Sequence, residues 1–505
     1  MRRLALLITA ATVLLPAGGA SAQDPTPGAA ASGPNVVVVM TDDQRFDDMP
    51  ALPKTRRLIG EAGVTFTRYF ASYPVCCPAR ATFFTGQYAH NHNVRCLYKP
   101  CGGYTKLDQR EYLPVWLEDA GYATAHVGKF LNGYGKDREP DVPRGWTEWF
   151  GLIDPWTYRM WGYQIFENGD RRTYGSLLRE VPRLYQTRVL TNKATQFIRR
   201  RAGGDAPFFL SVAYLAPHHE SGKTQGRTGK LVRPDPRDRG RYAHMPLPKP
   251  PSYNEDIRDK PRWVGRNRAI NSRREAAIVS RMHERWASLP AVDRGVEAII
   301  ETLRDTEELD NTYVIFTSDH GYMQGEHRIP QGKMVPYDPS TQVPLLIRGP
   351  GIPRGQTTNA LVGDVDLTPT IMDATPARPS RPLDGRSILP FARNVRLPSF
   401  RPFLHTTAGQ GAKGRTNTRE GGTKGTQPRV PAWSAVRTTR WLYVEYRSGQ
   451  REMYDLKRDH WQINNVINDP RTNARIRRTT LRRLLSDLQR CRGRSCDESA
   501  SVAVR

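Results

Sequence analysis

Four nearly unbroken runs of β-branched and aromatic residues, each ending in polar or charged side chains, constrain this chain more than any other feature. The first is Asn35-Val36-Val37-Val38-Val39-Met40, which ends in Thr41-Asp42-Asp43-Gln44. Gly121 to Val127 leads into Gly128-Lys129-Phe130-Leu131-Asn132, and Pro207 to Tyr214 leads into Ala216-Pro217-His218. Thr312 to Thr317 leads into Ser318-Asp319-His320-Gly321. Runs without polar alternation read as strands buried on both faces, as in a parallel sheet. Helical stretches lie between them, at Leu113 to Ala120, Leu190 to Arg201 and Val292 to Thr306. The alternation predicts an α/β fold, with a large, mostly parallel sheet sandwiched by helices. Open sheets of that kind bind ligands beyond the carboxyl ends of their strands, so four polar strand ends define a candidate site.

Asp42 and Asp43 repel one another, and a cation between or beside them relieves that repulsion. An Asp-Asp pair by itself is equally a helix cap or a turn; its place after a buried strand is what points to function. His218 follows a buried strand and Pro217 and has the chemistry of a proton donor near neutrality, or of a satisfied structural histidine. His219 reads as a bystander.

A second feature is Val75-Cys76-Cys77-Pro78-Ala79-Arg80-Ala81-Thr82-Phe83-Phe84-Thr85-Gly86. The pattern predicts a loop feeding a helix. Pro78 has no N–H to offer and sits without cost in the first turn. The open N–H groups and the positive helix end face Cys76, a seat for an anion. Arg80 lies one turn along and adds a planar, permanently charged fork. Read alone, Cys-x-Pro-x-Arg fits a buried thiol beside a surface arginine equally well.

The whole run to Thr85-Gly86 resembles the first signature of the type I sulfatases. Gly121 to Leu131 is similar to the second, with leucine where many members carry histidine. The Cys-Cys doublet and Gly128-Lys129-Phe130-Leu131-Asn132 resemble the N-acetylglucosamine-6-sulfatase and heparan endosulfatase branch. Asp319-His320 falls on the family's metal pair, and Lys333 in Gln331-Gly332-Lys333 on its sulfate-binding lysine. Val343 to Gly351 and Asp364 to Thr370 extend the resemblance over Pro34 to Pro390, with a weaker match at Glu452 to Leu456.

The resemblance implies an alkaline-phosphatase-like core and hydrolysis of a sulfate ester on a sulfated small molecule, sugar or glycan. It implies that Cys76, which has Pro78 at plus two and Arg80 at plus four, becomes Cα-formylglycine. A formylglycine-generating enzyme or an anaerobic maturase would do this, and the hydrated aldehyde would be the nucleophile. Asp42, Asp43, Asp319 and His320, with residue 76, would hold Ca²⁺, or Mg²⁺ as the alternative, because carboxylates are hard oxygen ligands. Imidazole is the softer member of that set. Arg80, Lys129 and Lys333 would hold the diol and sulfate oxygens, and His218 would donate to the bridging oxygen or to the sulfate. Asn132 is the candidate for the work of the missing histidine.

At 505 residues the chain fits a large domain with a smaller companion. Residues 1–22 read as a secretory signal: Arg2-Arg3, an apolar run from Leu4 to Pro16, then Ala20-Ser21-Ala22. The expected division is a linker over 23–33, a catalytic domain over 34–395, a small α+β subdomain over 396–490 and a tail over 491–505. Within the subdomain, Thr439 to Leu456 reads as a hairpin and Arg475 to Arg490 as a basic helix, with nothing catalytic. Gly222 to Lys249 reads as a surface loop bordering the cleft, and Ala408 to Val430 as a loop insertion.

Cys96 with Cys101, and Cys491 with Cys496, enclose short loops that suit disulfides in an exported protein. Adjacent cysteines such as Cys76 and Cys77 rarely bridge because the geometry is strained, and Cys77 reads as an inert buried thiol. The net charge of +26, or +24 without Arg2 and Arg3, attracts polyanions. The charge is scattered and lacks an aromatic stacking pattern, so it implies no specific nucleic-acid partner. No run after the signal reaches membrane-spanning length. Two other readings remain at this level: a phosphonate or phosphate monoester hydrolase on the same scaffold, and a secreted polyanion-binding protein without turnover.

Overall fold

The computed structural model describes residues 32–220, 223–224, 227–228, 232–399, 401–409, 430–470 and 474–498. The expected signal segment and nearly all of the linker and of the Ala408–Val430 insertion lie outside the described residues. Ten strands form one sheet: β1 (Asn35–Thr41), β2 (Val64–Phe66), β3 (Ala123–Gly128), β4 (Glu148–Leu152) and β5 (Tyr163–Glu167). The others are β6 (Asp170–Tyr174), β7 (Phe208–Ala213), β8 (Thr312–Ser318), β9 (Leu345–Arg348) and β10 (Gln356–Thr358). Their order is β10-β2-β9-β8-β1-β7-β3-β4-β5-β6. The central strands β8, β1, β7, β3 and β4 run parallel, while β9, β5 and β6 pair antiparallel on the flanks.

The valine run of β1 explains why the sheet is covered twice. Val36 and Val38 enter one apolar core and Val37 and Val39 the other, all four fully buried. Each such side chain contributes about 1.5–3 kcal/mol relative to exposure. The first core holds helices α1 (Cys76–Thr85) and α2 (Leu113–Asp119), and the second holds α3 (Gln186–Arg201) and α4 (Ser272–Asp305). Helix α4 starts twenty residues before the Val292 expected from sequence and runs through Pro290. Its buried stripe of Ile278, Met282, Trp286, Leu289, Val292 and Val296 has helical spacing. Burial of that stripe outweighs the roughly 3 kcal/mol that an internal proline costs. Asn271 caps its start by accepting from the Arg274 N–H at 3.1 Å.

Register turns this sheet into a site. Thr41 lies beside Ser318, Met40 beside Ala213, and Gly128 beside Ala213. The carboxyl ends of β8, β1, β7 and β3 therefore finish flush, and the residues that follow each strand emerge on one edge.

A separate antiparallel sheet joins β11 (Phe403–Ala408), β12 (Trp433–Thr438), β13 (Trp441–Tyr446) and β14 (Arg451–Asp455). Leu481, Leu484, Leu485 and Leu488 of α5 (Ala474–Leu488) pack against it. The stretch expected to be a surface loop is more than that where it is described. Asp235 and Asp238 are buried, held by Arg188 and Arg294. Cys96–Cys101 and Cys491–Cys496 are disulfides, whereas Cys76 and Cys77 are buried and in no disulfide.

Candidate active site

Helix α1 opens at Cys76, directly after an extended Val75 (φ −156°, ψ 140°), with Pro78 as its third residue. All ten of its residues are buried. Gly86 ends it in the left-handed region (φ 63°), donating to the Thr82 carbonyl at 2.9 Å. The left-handed φ favours glycine, and a Cβ at this position would also crowd Leu383 at 3.1 Å and Thr368 at 3.2 Å.

Adjacent residues of a strand point to opposite faces, yet Asp42 and Asp43 both reach the site. The strand stops at Thr41, and Asp43 takes a left-handed conformation (φ 66°) that breaks the alternation. The turn is held at several points. The Asp43 N–H donates to Asp319 Oδ1 (3.2 Å), the Gln44 N–H to Ser318 Oγ (3.0 Å), and Arg285 Nη2 to the Asp43 carbonyl (2.5 Å).

Around Cys76 Sγ stand Asp42 Oδ1 at 3.4 Å, His320 Nε2 at 3.3 Å and Lys333 Nζ at 3.1 Å. Lys333 Nζ also donates to Asp43 Oδ1 at 2.8 Å, and Lys129 Nζ is bonded to Asp42 Oδ2. Arg80 is buried rather than on the surface. Its Nε donates to Asp319 Oδ2 (2.9 Å), its Nη1 to the Lys129 carbonyl (2.7 Å), and its Nη2 lies 3.5 Å from Asp42. Three buried carboxylates are thus faced by three cations.

This balance sets the protonation states. Burial by itself would raise the carboxyl pKa of Asp42, but Lys129, His218 and Arg80 outweigh it and hold it well below the usual range. Asp43 is depressed in the same way, against its burial, by Lys333, His218, His320 and Arg285. Burial pushes the imidazoles of His218 and His320 down, with the neighbouring carboxylates opposing. Burial thus moves His218 below the near-neutral titration expected from sequence, and Asp43 and Asp42 oppose that shift. His218 Nδ1 is 2.6 Å from the His219 carbonyl, which assigns the proton to Nδ1 and leaves Nε2 open.

All the residues singled out in the sequence except Asn132 fall within this contact set. Asn132 donates from Nδ2 to the Tyr158 hydroxyl at 2.6 Å, and the Tyr158 ring packs beneath Lys129 (4.6 Å) and against His218 (5.1 Å). Tyr158 and Arg285 are the residues that sequence reasoning missed. Tyr158 lies on an isolated turn, and Arg285 sits in the part of α4 that the pattern failed to mark. His219 stacks on His218 at 4.2 Å and supplies the carbonyl that orients it.

The donor set fits a hard dication. Asp43 Oδ2 and His218 Nε2 are buried without a hydrogen-bond partner and lie 3.7 Å apart. A buried ionised oxygen left without a partner is costly, and a cation is the partner that oxygen donors of this type select. Two overlapping groups, Asp42-Asp43-Cys76-His218 and Asp42-Cys76-Asp319-His320, each bring one donor atom per residue within 4.8 Å of the others.

Comparison with known proteins agrees with this geometry. A family model described as Sulfatase matches residues 34–377. An arylsulfatase of Volvox carteri is 33% identical, over 93% of this chain and 77% of its own. An N-acetylglucosamine-6-sulfatase of Capra hircus is 31% identical, over 92% of this chain and 84% of its own. A solved structure, in complex with its substrate D-glucosamine-2-N,6-O-disulfate, superimposes with a TM-score of 0.74 at 20% identity, covering 93% of this chain and 99% of that one. The fold is thus the alkaline-phosphatase-like α/β sandwich, and the chain belongs to the sulfatase family of sulfuric ester hydrolases.

Proposed function

We propose that this sulfatase is exported, works through formylglycine at position 76, and cleaves a sulfate ester on a sugar. The observation that carries the reading is the set of carboxylates and cations gathered around Cys76 Sγ, itself at the N-terminus of a buried helix. The relatives named above include an N-acetylglucosamine-6-sulfatase, and the superimposed structure holds a disulfated glucosamine, which supports a sugar substrate.

The thiol of Cys76 stands where the oxygens of the converted residue would sit. In the formylglycine form, residue 76 supplies a gem-diol, one oxygen attacking sulfur and the other later expelling sulfate to restore the aldehyde. Asp42, Asp43, Asp319 and His320 would hold Ca²⁺ or Mg²⁺, which would supply Lewis-acid polarisation of the sulfate and of the nucleophilic hydroxyl. Lys333, within reach of both residue 76 and Asp43, orients the nucleophile and one sulfate oxygen. Lys129 and Arg80 form the rest of the clamp, fixed in advance by Asp42, Asp319 and the Lys129 carbonyl. With three carboxylates matched by three cations, a dication leaves an excess of positive charge that an anionic ester offsets. His218 Nε2 is the open atom: once the anionic ester is bound and the imidazole takes up a second proton there, that proton can pass to the leaving oxygen. Asn132 acts through Tyr158, setting the ring against which Lys129 and His218 pack.

Mass spectrometry of the tryptic peptide Tyr69–Arg80, from protein made in its own host, tests the nucleophile. The expected result is one cysteine converted to an aldehyde, placed at Cys76 by fragmentation. Two intact cysteines in protein that still hydrolyses sulfate esters would sink it. A panel of sulfate, phosphate and phosphonate esters of one phenol should show the sulfate preferred. N-terminal sequencing of exported protein should begin at Gln23.

A further inference from the structure

A cavity of about 390 Å³ opens between the ends of the central sheet and the C-terminal sheet. It lies on the same edge as the cysteine site: Phe66, at the end of β2, aligns with Leu345, which aligns with Thr317 near the end of β8. The end of β2 is three strands from β1, roughly 14 Å at the usual strand spacing. We infer that this cavity binds an anionic sugar residue of the substrate, beyond the residue that carries the scissile ester. The inference rests on the sugar-sulfatase reading above and deepens it.

Charge is the first argument. Arg45, Arg68 and Arg437 line the cavity against two carboxylates, Asp47 and Asp338. Arg45 is paired with Asp47 at 3.3 Å and with Glu326 at 2.8 Å, and Arg437 grips both oxygens of Asp338. Arg68 is left over. It donates to the Thr439 carbonyl at 2.7 Å, and among the described residues no carboxylate lies within ion-pair distance of it. Its own burial and the like charge of Arg437 disfavour its charged form more than the charge of Asp338 supports it, so an anion entering here relieves a repulsion already present.

Shape is the second argument. Trp461, 41% exposed, lines the same cavity and is among the few large apolar side chains left open to solvent. His460 meets its ring edge-on at 5.0 Å. An indole face next to an uncompensated guanidinium suits a pyranose ring that carries a sulfate or a carboxylate. The apolar face of the sugar covers the indole, and the anion takes the guanidinium fork. The charged cysteine site lacks any such exposed aromatic platform among its described residues, so the two sites would divide the work of cleavage and chain recognition.

The test compares hydrolysis of a sulfated, uronate-containing tetrasaccharide with that of 4-nitrophenyl sulfate by the converted, metal-loaded enzyme. Arg68→Gln and Trp461→Ala should each lower the tetrasaccharide-to-aryl ratio of kcat/KM by about tenfold. Trp461→Ala lies at the surface and keeps the test sound if Arg68→Gln folds poorly. An unchanged ratio in both variants overturns the inference while leaving the sulfatase reading intact. Carboxyl-reduced and selectively desulfated tetrasaccharides identify the anion, since the Arg68→Gln effect should vanish with whichever group is removed. If the enzyme cleaves no sulfated sugar, the sugar-substrate reading falls, and calorimetric binding of the same tetrasaccharide decides the cavity separately. Binding weakened by Arg68→Gln then supports the anion site, and equal binding overturns it.

Discussion

His218 illustrates how much of a side chain's role is settled by its second atom. With Nδ1 committed to the His219 carbonyl, Nε2 is left facing Asp43 at 3.7 Å. A proton donor matters only as much as its leaving group needs one. His218→Gln should therefore cut kcat on a sugar sulfate by about 10²–10⁴, and on 4-nitrophenyl sulfate far less. Equal losses on both substrates would assign His218 to sulfate binding instead. Asp364 carries a different residue-scale consequence. Burial pushes its carboxyl up to about 7, against hydrogen bonds that include the Ser72 N–H at 3.0 Å. The folded chain then keeps a proton between about pH 4 and pH 7 that the unfolded chain has released, so this group's stabilisation is complete below pH 4 and lost as pH rises to 7. Asp364→Asn should raise stability at pH 8 by about 2–4 kcal/mol relative to its effect at pH 4. Urea midpoints of both proteins at the two pH values measure that difference.

At the scale of elements, the C-terminal sheet does more than its sequence announces. Its hairpin and basic helix were legible because alternation and helical spacing are local patterns. The contact that matters is not local. Trp433 Nε1 donates to the Met334 carbonyl at 2.8 Å, one residue past Lys333, while the Met334 N–H donates to the Pro74 carbonyl at 3.1 Å. Tyr337 of the same segment donates to Glu452 (2.8 Å), which also accepts from Tyr446 and Tyr454, and Asp338 binds Arg437. Met334 itself is held at a positive φ of 70°. The second sheet thus fixes the backbone that carries Lys333, and no spacing in the sequence could reveal a bond between residues 334 and 433. Trp433→Phe deletes the hydrogen bond, worth about 1 kcal/mol, together with part of the buried volume of the indole. Inhibition by inorganic sulfate should weaken several-fold, beside whatever fall in melting temperature the smaller ring brings. A large fall in melting temperature with unchanged sulfate affinity would make the contact structural only. Helix α4 teaches the converse lesson: its start was hidden because arginines dilute the apolar stripe and Pro290 reads as a stop, yet tertiary burial overrides both.

For the whole molecule, the site is a consequence of register. Residues 42–43, 129, 218 and 319–320 are far apart in the chain and meet because β1, β3, β7 and β8 end level. That much could be read from strand ends, and Cys76, Arg80 and Lys333 from the family resemblance. What escaped was the support behind them, Tyr158 and Arg285, since a side chain that merely braces another leaves no motif. The same assembly predicts how the fold responds to loss of the proposed dication. Lys129 already neutralises Asp42, Lys333 neutralises Asp43, and Arg80 neutralises Asp319, so the carboxylates are compensated without a dication. Buried charges lacking such partners would be expected to unfold the core. Here chelation should abolish turnover but lower stability only by the linkage term, about 4 kcal/mol at a metal concentration a thousandfold above Kd. A protein that keeps its circular dichroism and a cooperative melt in chelator, and regains activity when Ca²⁺ or Mg²⁺ is restored, meets that expectation. Loss of the cooperative melt on chelation would mean that the lysines do not substitute for the cation, and that the metal holds the strand ends together.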